Sequence, residues 1–319
     1  MSHPLKVVTV TLNPALDLTG SLNELVKGTV NLLDSGSLHP AGKGINVAKV
    51  LAELGAQVTV TGLLGADNQE AFVHLFESLN INDQFVRVEG ATRINVKIVE
   101  SSGQVSDLNF PGVSVSESQL QQFEDTLLEL ADSHEIFVIA GSLPRGLTPE
   151  RCAKWIKQLQ EAGKKVFFDS SNGALSAGVE AGPYLIKPND EELSVLTAAT
   201  LSSSHDIQQA AEKLQRQGCE NVVISLGEKG VLWIEQNGWI KSQPPKMTVV
   251  STVGAGDTLV AGLCWGELQQ WPKTQTLSFA TALAALAVSQ IGVGVADIEQ
   301  VLAVQNNVQI EQPMERIEK

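Results

Sequence analysis

Short apolar, β-branched runs alternate with amphipathic stretches along most of the chain. Val7–Leu12, Gln57–Leu64, Ile136–Ala140, Lys165–Asp169, Tyr184–Lys187 and Val222–Leu226 carry few polar side chains and predict strands buried on both faces. Ile45–Leu54, Gln69–Leu79, Pro149–Ala162, Asp190–Thr197 and Ile207–Gln217 carry apolar positions at helical spacing and predict helices behind most of those strands. Such alternation implies an α/β fold with a parallel sheet covered on both sides. Ligands of such sheets bind at the carboxyl ends of the strands. Gly141-Ser142, Pro188-Asn189 and Gly227 each fall at one of those ends.

Two segments break the rhythm. Residues 13–40 and 92–110 are strand-like, with no helix between strands. Arg93–Val99 alternates with period two, which marks a half-exposed strand. These segments predict a small β-sheet projecting from the main body, placed to act as a lid that excludes water. Gly227–Trp239 reads as a hairpin, and the Ala-rich stretch Phe279–Ile291 as a buried helix too short to span a bilayer. No repeat or linker divides the chain, so residues 1–319 read as one domain. The charged tail after about residue 308 is expected to fray.

Composition narrows the function. Lys and Arg number 22 against 36 Asp and Glu, a net charge of −14, which argues against a general nucleic-acid binder. It also requires local cations, helix ends or a metal ion to hold any anionic substrate. The three cysteines, Cys152, Cys219 and Cys264, lie far apart without a CxxC pair and fit a reducing cytoplasm. The first residues lead into a strand without a signal-peptide pattern, and no stretch predicts a membrane span. The five histidines lack metal-ligand spacing, and no Gly-x-Ser-x-Gly elbow points to a serine hydrolase.

The most informative stretch is Val253–Leu263, Val-Gly-Ala-Gly-Asp-Thr-Leu-Val-Ala-Gly-Leu. Gly254, Ala255 and Gly256 precede an apolar helical run, so their N–H groups can face an anion at a helix start. A carboxylate there would repel the anion. Asp257 makes sense as the acceptor of a proton from a hydroxyl attacking phosphorus, which points to a kinase acting on an alcohol. A second Gly-rich helix start, Ala41-Gly42-Lys43-Gly44-Ile45-Asn46, adds a lysine charge. Its plain alternative is an entry turn with a solvated lysine. In Lys187-Pro188-Asn189-Asp190-Glu191-Glu192, Asn189 and Glu192 suit a helix cap. The same pair could instead lie near a hydrated Mg²⁺, which needs few protein ligands. Ser225 and Gly227 follow a strand and could meet nucleotide phosphates or ribose, or simply enter a hairpin. Arg93 and Lys97 share one face of the lid strand with Asn95 between them and could hold a sugar phosphate, although solvation is the usual fate of such a pair. Asp17 could accept sugar hydroxyls or serve as a turn residue after Pro14.

Together these segments resemble the ribokinase-like, or PfkB, family of carbohydrate kinases. The resemblance rests on Gly42-Lys43-Gly44-x-Asn46 and Val253–Leu263, supported by Thr11–Asp17, Thr92–Lys97 and Gly141–Pro144. It implies a three-layer α/β/α domain with a β-sheet lid, and ATP as phosphoryl donor with Mg²⁺. It further implies phosphorylation of fructose 1-phosphate at its 6-hydroxyl, with tagatose 6-phosphate and fructose 6-phosphate as alternative substrates and a sugar-phosphate-binding regulator as the non-enzyme alternative. In the implied roles, Asp257 is the base and Gly254, Ala255 and Gly256 form the anion hole. Gly42, Asn46 and Asp17 hold sugar hydroxyls, and Lys43, Arg93 and Ser142 serve the phosphate end. Lys187, Asn189, Ser225, Gly227, Gly230 and Thr252 line the nucleotide and metal region, with Asn189 and Glu192 reaching Mg²⁺ through water. The resemblance also implies a homodimer formed through the lid. One departure is Ala41, where many members have glycine.

Overall fold

The computed structural model describes residues 5–290, 292–295 and 297–313. Strand β1 (Lys6–Thr11) leads directly into two lid strands, β2 (Ala15–Leu22) and β3 (Ser35–Ala41). Helix α1 (Lys43–Glu53), β4 (Gln57–Gly65), α2 (Glu70–Ser78) and β5 (Asn82–Val88) return to the main body. The chain re-enters the lid as β6 (Arg93–Glu100) and β7 (Val105–Leu108). A regular alternation follows: α3 (Glu117–Ala131), β8 (Ile136–Ala140), α4 (Pro149–Glu161), β9 (Lys165–Asp169), α5 (Asn172–Glu180) and β10 (Leu185–Ile186). Helices α6 (Asp190–Thr197) and α7 (Ser204–Arg216) precede β11 (Asn221–Ser225) and the hairpin of β12 (Val231–Glu235) and β13 (Gly238–Gln243). The last elements are α8 (Ala255–Leu268), α9 (Lys273–Ala287), α10 (Ile298–Gln305) and β14 (Gln309–Glu311).

The main sheet runs β14-β13-β12-β11-β10-β9-β8-β1-β4-β5. Pairing is parallel from β11 to β5 and antiparallel along β11, β12, β13 and β14. The alternation of side chains builds two cores. Val7, Val138 and Phe167 pack on one face with α1, α8 and α9. Val8, Val10, Phe137, Ile139 and Phe168 pack on the other with α3, α4 and α7. The three-layer α/β/α arrangement expected from the apolar runs is therefore present.

Helices α8 and α9 pack without room for side chains between them. A Cβ at Gly262 would come within 2.6 Å of Ala280 Cα, and one at Gly266 within 2.3 Å of the Thr276 side chain. The lid sheet runs β3-β2-β6-β7, with β2 and β6 parallel and the outer pairs antiparallel. It joins the main body at the ends of β1 and β5. There Asn68 bonds both backbone groups of Thr92, and the Thr92 hydroxyl accepts the Gly65 N–H at 3.0 Å.

Two expectations change. The fifth apolar run, Tyr184–Lys187, makes only two ladder residues, Leu185–Ile186, because Pro188 follows at once. The segment after residue 308 continues as a strand, with Gln309–Glu311 pairing on β13, because the open edge of that strand offers backbone partners. Residues 314–319 and Ile291, at the end of the predicted Ala-rich helix, lie outside the described residues. That helix is α9, which begins earlier, at Lys273. Among the described residues no helix is long and apolar enough to cross a membrane.

Candidate active site

The site forms where two helix starts meet the carboxyl ends of β1, β9 and β10. Helix α1 is pressed onto β1. A Cβ at Gly44 would lie 2.3 Å from Thr11 Oγ1 and 2.7 Å from the Val10 carbonyl oxygen, so only glycine allows that approach. Gly42 caps the helix at φ 132°, a conformation open to glycine. This packing sets Lys43 and Asn46 on the first turn above the strand ends. Helix α8 starts at Gly254, with φ 79°. Its third residue, Asp257, accepts a 2.7 Å hydrogen bond from Asn46 Nδ2. The two Gly-rich motifs, far apart in sequence, are thus in direct contact.

Around that contact lies a small charge network. Asp169, at the end of β9, is 2% exposed. Lys43 Nζ lies 3.2 Å from one of its oxygens, and Lys187 Nζ lies 3.5 Å from the other. Lys187 Nζ also stands 3.5 Å from where a Cβ on Gly256 would be, which brings the lysine to the start of α8. Burial pushes the Asp257 carboxyl up to about 6, and the nearby Asp169 carboxylate adds to the shift. Asn46, Lys43 and Lys187 oppose it. This departs from an ordinary aspartate and places Asp257 near the range suited to general-base work. For Lys43, burial favours the neutral amine, but Asp169, Asp257 and Glu192 together outweigh it and raise its pKa.

Sequence reasoning missed Asp169. Its signal was present: an acid follows the apolar run Val166–Phe168, at the carboxyl end of the strand where ligands bind. Asn13 was missed as well. It is buried, and its Nδ2 reaches the Pro111 carbonyl, Ser142 Oγ and the Leu143 carbonyl.

On the lid side the outcome is mixed. Asp17 faces Asn95 across β2 and β6 and accepts its Nδ2 at 3.1 Å. Arg93 is half-exposed, but its guanidinium is not free. Its guanidinium donates to the carbonyls of Pro14, Phe110 and Asn13, and Nη2 lies 3.5 Å from Ser142 Oγ. Lys97, expected beside Arg93, pairs with Asp107 at 3.7 Å.

On the other side, Asn189 and Glu192 form a reciprocal capping box. Asn189 Oδ1 accepts the Glu192 N–H at 2.7 Å, and Glu192 Oε2 accepts the Asn189 N–H at 3.0 Å. Asn189 bridges to Ser225, which brings the Gly227 turn beside it, and Gly227 has φ 58°. Gly230 is buried instead, with the Ser242 carbonyl oxygen 1.8 Å from where its Cβ would be, so it serves the hairpin. Thr252 lies in the exposed approach to α8, and its carbonyl receives the Ala255 N–H at 3.4 Å. First-turn N–H groups have no acceptor within their helix, so those of Gly256 and Asp257 remain to face an anion.

The residues also bear on Mg²⁺. Among the described residues no cluster of three or more His, Cys, Asp or Glu could hold a metal ion directly. Asp169 is already shared by two lysines, and Glu192 commits one oxygen to its cap while still acting on Lys43. That donor set suits a hydrated ion held through water and a substrate's phosphates, the usual mode for Mg²⁺.

The pfkB carbohydrate kinase family profile matches residues 10–300. The chain belongs to the PfkB family of carbohydrate kinases. Among PfkB relatives, a 1-phosphofructokinase of Vibrio cholerae serotype O1 is 61% identical over 305 residues, 96% of each chain. A 1-phosphofructokinase of Escherichia coli strain K12 is 46% identical over 307 residues, 96% of this chain and 98% of that protein. The fold also matches the crystal structure of Escherichia coli phosphofructokinase-2 in complex with fructose-6-phosphate. The TM-score there is 0.87 at 28% identity, over 95% of this chain and 98% of that one.

Proposed function

We propose that this PfkB kinase transfers the γ-phosphoryl group of ATP to the 6-hydroxyl of D-fructose 1-phosphate, giving fructose 1,6-bisphosphate and ADP. The observation that carries the reading is the buried Asp257 carboxyl at the start of α8, held by Asn46 and raised to about 6. The identity to 1-phosphofructokinases supports the choice of sugar.

In this reading Asp257 accepts the hydroxyl proton as the sugar oxygen attacks phosphorus and the bond to the β-phosphate oxygen breaks. The N–H groups of Gly256 and Asp257 face the transferring oxygens, whereas that of Ala255, expected among them, bonds the Thr252 carbonyl and Gly254 serves as the N-cap. Lys43 and Lys187 offset their charge against an otherwise acidic chain. Asn46, Gly42 and Asp17 orient the sugar. Arg93 and Ser142 hold its phosphate, with Asn13 positioning Ser142. Ser225, Gly227 and Thr252 border the nucleotide. Asn189 and Glu192 would hold a hydrated Mg²⁺, which would supply further charge compensation on the phosphates. The protein works in the cytoplasm on a small sugar phosphate.

An ADP-release assay over fructose 1-phosphate, fructose 6-phosphate, tagatose 6-phosphate and ribose tests this directly. The highest kcat/KM is expected for fructose 1-phosphate. A preference for another sugar reassigns the substrate, and tight binding without turnover on any of them would make the protein a regulator.

Arg93→Ala is expected to raise KM for fructose 1-phosphate and lower stability together, the latter by about 1–3 kcal/mol for lost bonds to carbonyls. Thermal melting alongside kinetics checks both. An unchanged KM would make Arg93 a lid fastener only.

Exposed apolar residues on the lid, Leu38, Ile94, Val105, Leu108 and Phe110, support a homodimer formed there. A monomer in sedimentation at micromolar concentration would rule that out.

A further inference from the structure

Helix α1 carries Lys43 and Asn46 at one end and Glu53 at the other. Glu53 is misplaced by helix electrostatics, since the C-terminal turn is the negative end and disfavours a carboxylate. No basic residue occupies that turn to offset it. Lys49, one turn earlier on the same face of α1, lies beside the same Gly294, and the hydrogen-bonding partner of Glu53 comes from outside the helix.

The compensation lies on the segment after α9. Glu53 Oε2 accepts the Val295 N–H at 2.5 Å, across 242 positions of sequence. Gly294 sits beneath the carboxylate with φ 154°, and a Cβ there would stand 2.9 Å from Oε2. Gln290 Nε2 donates to the Gly294 carbonyl at 2.8 Å and holds the same turn from its other side.

This turn reaches the start of α8. Val293 Cγ2 occupies the space beside Gly254, 2.2 Å from where a Cβ would be. Val288, at the root of the segment, accepts the Val250 and Ser251 N–H groups at 2.7 and 3.1 Å, so it also supports the approach to α8. The segment therefore backs the N-cap of the helix from two sides, and Glu53 clamps it.

We propose that Glu53 is a positioning residue for nucleotide binding. Through Val295 and Gly294 it holds the turn that seats Val293 against Gly254, and so sets the anion-facing N–H groups of α8. Because Glu53 shares α1 with Lys43 and Asn46, the clamp ties the nucleotide side of the site to the helix that serves the sugar. The inference rests on the reading of Gly254–Asp257 as the phosphoryl-transfer site.

Steady-state kinetics on the full chain test it, with ATP varied at saturating fructose 1-phosphate and then the reverse. Glu53→Ala is expected to raise KM for ATP roughly three- to tenfold, the scale of one lost charged hydrogen bond at a partly solvated site, with KM for the sugar nearly unchanged. Glu53→Gln is expected to recover most of the loss, because its amide oxygen still accepts the Val295 N–H. Gly294→Ala, which crowds the carboxylate, is expected to raise KM for ATP as well. A wild-type KM for ATP in Glu53→Ala overturns the proposal, as does an equal rise in both KM values or no recovery in Glu53→Gln. If the wild-type chain does not turn over fructose 1-phosphate, the functional reading fails separately. Calorimetric titration with ATP and MgCl₂ then decides the clamp: weaker binding to Glu53→Ala supports it, and equal binding overturns it.

Discussion

Asp257→Asn is expected to lower kcat by about 10²-fold or more, the range for loss of a positioned base, with sugar binding largely retained. The amide keeps the size of the side chain but cannot take the hydroxyl proton. Near-wild-type turnover in this variant would remove Asp257 from that role. The pH profile gives a second check. With the carboxyl raised to about 6, kcat/KM of the wild type should fall as pH drops below about 6, because the protonated acid cannot serve as base. The sign for stability is opposite. A folded pKa above the unfolded value of 3.8 contributes stability at low pH, and this is lost as pH rises through about 6. Asp257→Asn removes that loss, so at pH 7 the variant should melt no lower than wild type. A variant both inactive and clearly less stable would mean that the carboxyl also holds structure.

Asp169→Asn is expected to act on the same profile from a distance. Asp169 helps to raise Asp257 while Lys43 and Lys187 lower it. Removing the Asp169 charge leaves both lysines to favour ionised Asp257, so the acid limb should move to lower pH. Titration of Asp257 followed by NMR measures the same shift if turnover is too slow. The variant also leaves the buried Lys187 without its carboxylate. Removing one partner of a buried ion pair costs about 3–5 kcal/mol, and denaturant unfolding reads this loss. An acid limb that stays in place would show that burial alone raises Asp257.

Much of the fold was legible because periodicity reports burial directly. Runs such as Ile136–Ala140 have no polar face, and only a strand covered on both sides tolerates that. The lid was legible for the complementary reason, since Arg93–Val99 alternates. The tail strand was not, because its residues are exposed and its partner edge is defined only in three dimensions. Within the site, Gly254–Asp257 announced itself by glycine and by an acid at a helix start. Asp169 looked like the end of a core strand, since nothing local shows that two lysines, one 126 positions earlier, converge on it. Arg93 was recognised as a cation, but its hold on three carbonyls depends on how the lid folds back onto residues 13–14 and 110. The Asn189–Glu192 pair shows the limit from the other side. The cap expected from the spacing is present, and capping leaves open whether the same carboxylate also serves an ion.

The Asn46–Asp257 hydrogen bond spans 211 positions, and the buried face of α1 packs with α8 in one core. During synthesis α1 emerges long before its partner. At ordinary translation rates its apolar face waits on the order of 10–40 s before α8 exists to cover it. Strands β1 and β4, made at nearly the same time, can cover part of the apolar face of α1, and the part that meets α8 stays open until α8 is made. Joining early and late parts of the chain at one candidate site makes activity a report of completed synthesis.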